Sequence, residues 1–124
     1  MPAYNFKKQF AKLVKTKRKR QTVRALRKDK WLPRTGMTAY CYTGMRTKDC
    51  ELLGEFKIKE VCKIIIRQKH VEITDHTNAR QIDLIDYSSR NEFAKKDGFD
   101  NWDQFYCFFY MEHGIPFEGA LIKW

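Results

Sequence analysis

The first 34 residues hold almost no acid. Asp29 is the one carboxylate there, against 13 lysines and arginines, for a net charge of +12. The other 90 residues carry 12 basic and 14 acidic side chains, so the whole +10 of the chain comes from its first quarter. A field so localised favours polyanions and speeds their encounter. The plainer reading of the same run is a solvated charged face. An acidic membrane surface fits less well, because no amphipathic helix with a wide apolar face accompanies the whole run.

Long apolar runs are also missing: nothing approaches the roughly 20 residues that span a bilayer. The opening Met1-Pro2-Ala3-Tyr4-Asn5-Phe6 lacks the apolar core of a signal peptide, so a cytoplasmic location without a membrane partner is expected. Close cysteine pairs are absent as well. Cys41, Cys50, Cys62 and Cys107 make no C-x-x-C, and His70, His76 and His113 supply no ligand spacing. No metal and no cofactor are therefore expected. Free thiols are the better reading, with Cys41, Cys62 and Cys107 as small buried apolar residues. There is neither an internal repeat nor a low-complexity linker. What remains is the composition of a single folded domain over 1–124, 43% hydrophobic and 15% aromatic, long enough to bury a core.

Phe6, Phe10, Leu13 and Val14 form one apolar stripe at helical spacing, with lysines between them. That short helix delivers the chain into Thr16-Lys17-Arg18-Lys19-Arg20-Gln21-Thr22-Val23-Arg24. A solvated surface needs charge, but it does not need an amide and a hydroxyl set among the cations. The segment reads as the wall of a pocket for a ligand bearing phosphate or a nucleobase. Pro33-Arg34-Thr35-Gly36 is a turn, and Met37–Thr43 alternates as a strand with Ala39 and Cys41 on one side. The loop Thr43–Thr47 follows, where Gly44 admits close backbone approach and Arg46 offers a fork for phosphate or a base edge. An exposed arginine on a plain connection is the alternative there.

Glu55–Arg67 has a period of two and reads as one long strand, with a bulge or bend at Glu60. Val71 and Ile73 extend the pattern, Thr74–Asn78 turns the chain, and Ile82–Ile85 returns as a short strand. Ser89-Arg90-Asn91-Glu92 reads as a capping box that starts a helix running to about Asp97 and stopped by Gly98. Asn101-Trp102-Asp103-Gln104 starts a second helix, rich in rings that belong mostly to the core. Gly114-Ile115-Pro116 ends it, and Ala120, Ile122 and Trp124 alternate in a closing strand. The expected class is α+β, with a mostly antiparallel, barrel-like sheet.

Asp97 is oddly placed. The negative end of a helix dipole disfavours another negative charge by about 0.3–1 kcal/mol. Such an acid either caps the helix or answers a cation from elsewhere. Lys19 is a candidate cation, and burial among like charges lowers a lysine's pKa. A neutral lysine takes a proton from a hydroxyl, and a carboxylate holds the resulting ammonium, so Lys19, Thr22 and Asp97 form a sensible catalytic trio.

Three segments together resemble the ASCH domains of the PUA-like superfamily. They are Lys19-Arg20-Gln21-Thr22-Val23-Arg24, Asp97-Gly98-Phe99-Asp100-Asn101-Trp102-Asp103 and Phe117-Glu118-Gly119-Ala120-Leu121-Ile122-Lys123-Trp124. The resemblance spans nearly the whole chain. It implies a small PUA-like β-barrel with flanking helices and a cleft lined by the Lys/Thr/Arg motif. Many such domains are thought to bind RNA or nucleosides. Some small ones resemble amidohydrolases that remove the acetyl group from N4-acetylcytidine with a Lys, a Thr and a Glu. Those roles fall on Lys19, Thr22 and Asp97. Two departures stand out: Lys17 occupies the position of the usual glycine, and Asp97 that of the usual glutamate. An arm shorter by one methylene weakens the case for hydrolysis, since about 1 Å of misplacement costs on the order of 100-fold in rate.

The first functional expectation is thus an RNA- or nucleoside-binding module. Lys17, Lys19, Arg20 and Arg24 would hold phosphate, Thr22 and Arg46 would contact the base edge, and Arg18 and Gln21 belong to the same binding set. The second is an N4-acetylcytidine-type amidohydrolase. The third, a ribonuclease built on His70, His76 and His113, ranks last because nothing in the sequence brings these histidines together.

Overall fold

The computed structural model describes residues 2–75 and 80–124. The chain runs β1 (Ala3–Phe6), α1 (Lys8–Lys15), β2 (Gln21–Ala25), β3 (Thr38–Thr43), β4 (Glu51–Lys57), β5 (Glu60–Arg67), β6 (His70–Asp75), β7 (Gln81–Leu84), α2 (Tyr87–Lys96), α3 (Trp102–His113) and β8 (Phe117–Lys123). The class is α+β. The strands pair as a three-stranded sheet, β1-β3-β4, and a five-stranded sheet, β2-β8-β5-β6-β7. Every pairing is antiparallel except β1 with β3. Among the described residues no strand ladder joins the two sheets, so their hydrogen bonds do not close a barrel.

Two apolar cores follow from this arrangement. One lies between the five-stranded sheet and α2 and α3, and includes Val23, Ile64, Ile66, Phe93, Trp102, Phe105 and Leu121. The other lies between the three-stranded sheet, α1 and the end of β8, and includes Phe6, Phe10, Val14, Cys41, Ile122 and Trp124. β8 sits between β2 and β5. Its alternation is real, yet both faces are buried: Leu121 enters the first core, Ile122 and Trp124 the second. Among the described residues β2 has a neighbour on one side only and stands at the sheet's edge.

Several expectations need correcting. The N-terminal stripe is split, because Phe6 ends a strand and the helix covers only Lys8–Lys15. A ring at position i is buried equally well from an adjoining strand, so spacing alone did not separate the two. The basic motif, to which the sequence alone assigns no secondary structure, contains strand β2, as its β-branched Thr22 and Val23 allow. The long strand expected over Glu55–Arg67 is two strands broken at Ile58 and Lys59. The helix expected to start at Ser89 begins earlier: Asp86 is its N-cap, accepting from Ser89 N, while Ser89 Oγ donates to Asp86 Oδ1 at 2.8 Å. Asn101 does cap α3, accepting from Gln104 N. All four thiols are free, but Cys107 is exposed rather than buried, because it falls on the outer face of α3. The turn expected over Thr74–Asn78 lies partly outside the described residues.

Candidate functional site

The site grows from the way α1 ends. Arg18 N and Lys19 N both donate back to Leu13 O, which folds the chain sharply after the helix. Lys17 sits in that turn at φ +65. This left-handed residue just past a helix is where glycine is usually found, so a structural reason exists for a glycine at this position. From Gln21 the chain extends as β2, and residues two apart then share a face. Thr22 and Arg24 point away from the Val23 core. β2 is an edge strand, so a space remains beside them.

That space is a cavity of about 430 Å³ at the seam of the two cores. Phe6, Phe10, Phe99, Phe108 and Phe109 wall it, while Lys19, Thr22, Arg24 and Asp97 supply its polar groups. Lys19 and Asp97 are both 3% exposed, and Thr22 is 4% exposed.

Asp97 is the C-cap of α2, its N–H bonded to carbonyls of the last turn. Lys19 Nζ donates to the Asp97 carbonyl oxygen and lies 3.4 Å from its Oδ1. One ammonium thus satisfies both an unpaired helix-end carbonyl and the carboxylate beside it. The ill-placed acid has its cation, delivered from 78 residues away. Gln21 Nε2 also donates to Asp97 Oδ1, at 3.4 Å. The Lys19 ammonium lies 5.2 Å from the centre of the Phe10 ring and 5.7 Å from that of Phe6. Gly98 makes the approach possible. It stands at φ +95, and a Cβ there would come within 3.1 Å of Lys19 Cδ and 3.0 Å of Phe10 Cδ1.

Burial dominates the charges of this pair. Dehydration lowers the Lys19 pKa despite the opposing pull of Asp97, and it raises the Asp97 pKa despite Lys19. At an effective dielectric of about 20, attraction over this separation is about 5 kcal/mol. That is comparable with the several kcal/mol needed to dehydrate each ion. Lys19 is consequently easier to deprotonate than a surface lysine, as a general base requires. Arg24 is committed otherwise: its Nε donates to Thr22 Oγ1 at 3.1 Å and its Nη2 to Asn5 O at 2.8 Å. Its guanidinium also packs over Tyr4 and Phe6. With Thr22 Oγ1 accepting from Arg24, the threonine hydroxyl proton is directed elsewhere.

The expected site residues therefore divide. Lys19, Thr22, Arg24 and Asp97 meet in the cavity, and Gln21 is buried behind it, bonded to Asp97. Lys17, Arg18 and Arg20 are exposed and do not line the cavity, nor does the exposed Arg46. Their assignment to one common wall is corrected, because Lys17, Arg18 and Arg20 lie in the turn after α1, before β2 begins at Gln21, and Arg46 lies in the connection after β3. Sequence reasoning missed Asn5, whose Oδ1 accepts from Met45 N at 3.0 Å and so ties the Thr43–Thr47 loop to the cavity rim. It also missed the ring wall from Phe6, Phe10 and Phe99, although their spacing with the α3 rings carried a signal.

The three histidines do not form a group among the described residues. His113 lines the cavity, His70 lies on β6, and His76 is outside the described residues. His70, Glu72 and Asp83 do bring ligand atoms within 4.8 Å of one another. Their carboxylates already have partners, with Arg67 Nε 3.5 Å from Glu72 and Gln81 donating to Asp83 at 2.9 Å. No helix among the described residues is long and apolar enough to cross a membrane.

No known protein-family model matches this chain, and no curated protein or solved structure is found to match it.

Proposed function

We propose that this chain is a binding module of the ASCH type, with a PUA-like arrangement of its two sheets, and that its cavity takes a nucleoside or one nucleotide unit of an RNA strand. One observation carries the reading: a cavity of about 430 Å³ with flat aromatic walls and a polar end made by Lys19, Thr22, Arg24 and Asp97. Rings accept the face of a base, and a few convergent donors and acceptors fix its edge. The left-handed Lys17, at the position where ASCH domains carry glycine, supports the family reading independently of any ligand.

Titration with cytidine, uridine, adenosine and N4-acetylcytidine, followed by calorimetry, tests the proposal. At least one nucleoside is expected to bind saturably. Thr22→Val should weaken it by about fivefold or more, the worth of one hydrogen bond. If none of the four binds, the reading fails.

Hydrolysis of an N4-acylated cytidine is the second reading, favoured by the contact of Lys19 with Asp97. Thr22 Oγ1 would attack the acyl carbon and pass its proton to Lys19, while Asp97 orients the ammonium. The C–N bond then breaks, that proton leaves with the cytidine amine, and water releases the acyl group from Thr22 as a carboxylic acid. Release of cytidine from N4-acetylcytidine, abolished by Lys19→Met, supports this chemistry. Binding without turnover leaves the module a reader only.

A further inference from the structure

The cations that the turn after α1 sends outward converge with others from a distant strand. Lys17 and Arg20 meet Lys57, the last residue of β4, and Lys59 in a cleft of about 180 Å³ lined also by Phe56 and Trp124. All four cations are exposed, and none takes part in an ion pair among the described residues. Other surface lysines do better: Lys7, Lys15 and Lys63 each have a carboxylate within 2.9 Å. Arg20 uses its Nε to hold Lys17 O at 3.0 Å, which fixes the guanidinium. Four like charges around one cleft repel one another until an anion joins them.

Two rings complete the lining. Phe56 and Trp124 stack with centroids 5.7 Å apart and planes 15° from parallel. Trp124 is 7% exposed, and its indole Nε1 is buried without an acceptor among the described residues. A buried donor without a partner costs about 1–3 kcal/mol. On its other side Trp124 meets Phe6 at 6.2 Å, edge to face. Because Phe6 lines the cavity, these rings form a wall between the cavity and the cleft.

We propose that this cleft is a second ligand site, separate from the cavity, that takes phosphate groups. Two sources share that chemistry, the phosphodiester backbone of a single-stranded polynucleotide and a free polyphosphate. The site goes beyond the nucleoside reading and does not depend on it: the cavity can be empty of any nucleoside and the cleft still binds phosphate.

Isotope-labelled protein titrated separately with sodium tripolyphosphate and with decauridylate, followed by NMR, tests this. The indole N–H of Trp124 and the amides of Lys57 and Lys59 are expected to move, while the indoles of Trp31 and Trp102 stay in place. Movement with tripolyphosphate alone assigns the site to free polyphosphate. Movement with decauridylate assigns it to the polynucleotide backbone. Lys57→Glu with Lys59→Glu should weaken the probe that binds by about tenfold or more and flatten its salt dependence. At about 0.15 M salt, where remote charges are screened beyond roughly 8 Å, Lys8→Glu with Lys12→Glu makes the same charge change on the exposed face of α1 and should weaken it by less than about threefold. Equal losses from both pairs of reversals, or a Trp124 indole that moves with neither probe, overturn the site. So does a decaglutamate peptide that moves the same resonances as strongly. Failure of the cleft with retained cytidine binding leaves the cavity reading intact, and the reverse result separates the two equally well.

Discussion

Lys19 shows what burial does to one side chain in an otherwise solvated run. Its pKa falls below the ordinary value of 10.5 because the charged form is dehydrated. Between the lowered value and 10.5 the unfolded chain holds a proton that the folded chain has released, so stability rises with pH across that window. Other groups act in the opposite direction. Burial raises Cys41 to about 11 and Tyr4 to about 12, so each favours the fold less as pH climbs through its own window. The Lys19 contribution is therefore read by difference: urea midpoints from pH 7 to 9.5 should rise more, or fall less, in the wild type than in Lys19→Met. Parallel profiles would mean that Lys19 titrates as a solvated lysine. Part of this was legible beforehand. The sequence named Lys19, Thr22 and Asp97 as candidates because their chemistry is complementary. It paired Lys19 with Asp97 and expected a lowered lysine pKa, but not that both would be buried, because the fold that joins them across 78 residues is not local in the chain.

The end of α2 is where an element, rather than a residue, makes the site. A helix terminus leaves its last carbonyls unsatisfied, and here a remote lysine supplies the donor while Gly98 turns the chain away. Gly98→Ala tests the element. The new methyl would press on Lys19 Cδ and Phe10 Cδ1, and the residue would be held at φ +95, where alanine is strained. A loss of about 1–3 kcal/mol in urea unfolding is expected, along with weaker binding of the nucleoside proposed for the cavity as Lys19 is pushed aside. An unchanged variant would show that the turn has slack. At this scale the sequence was partly readable. The cap at Asn101 and the stops at Gly98 and Gly114 follow from turn chemistry that is local in the chain. β2 was hidden because the cations just before it resemble a solvated run, and the break between β4 and β5 showed only as a bend at Glu60 because Ile58 stays buried through it.

Over the whole molecule, the charge imbalance is divided among different surfaces. The first quarter supplies Lys19 and Arg24 to a cavity, Lys17 and Arg20 to a cleft, and Lys8 and Lys12 to the open face of α1. Charges that touch a ligand chiefly set how slowly it leaves, whereas charges that only face it set how fast it arrives. At about 0.15 M ionic strength a field reaches roughly 8 Å, and further in dilute salt. Lys8→Gln with Lys12→Gln should therefore slow association with decauridylate by about two- to threefold at low salt and leave dissociation unchanged. The slowing should shrink as salt is added, because screening removes a remote charge before it removes a contact. Stopped-flow mixing over a salt series separates the two rates. A faster dissociation in this variant would place α1 among the contact surfaces and make the basic quarter one continuous binding face. An association rate indifferent to both lysines would confine the effective charge to the cavity and the cleft.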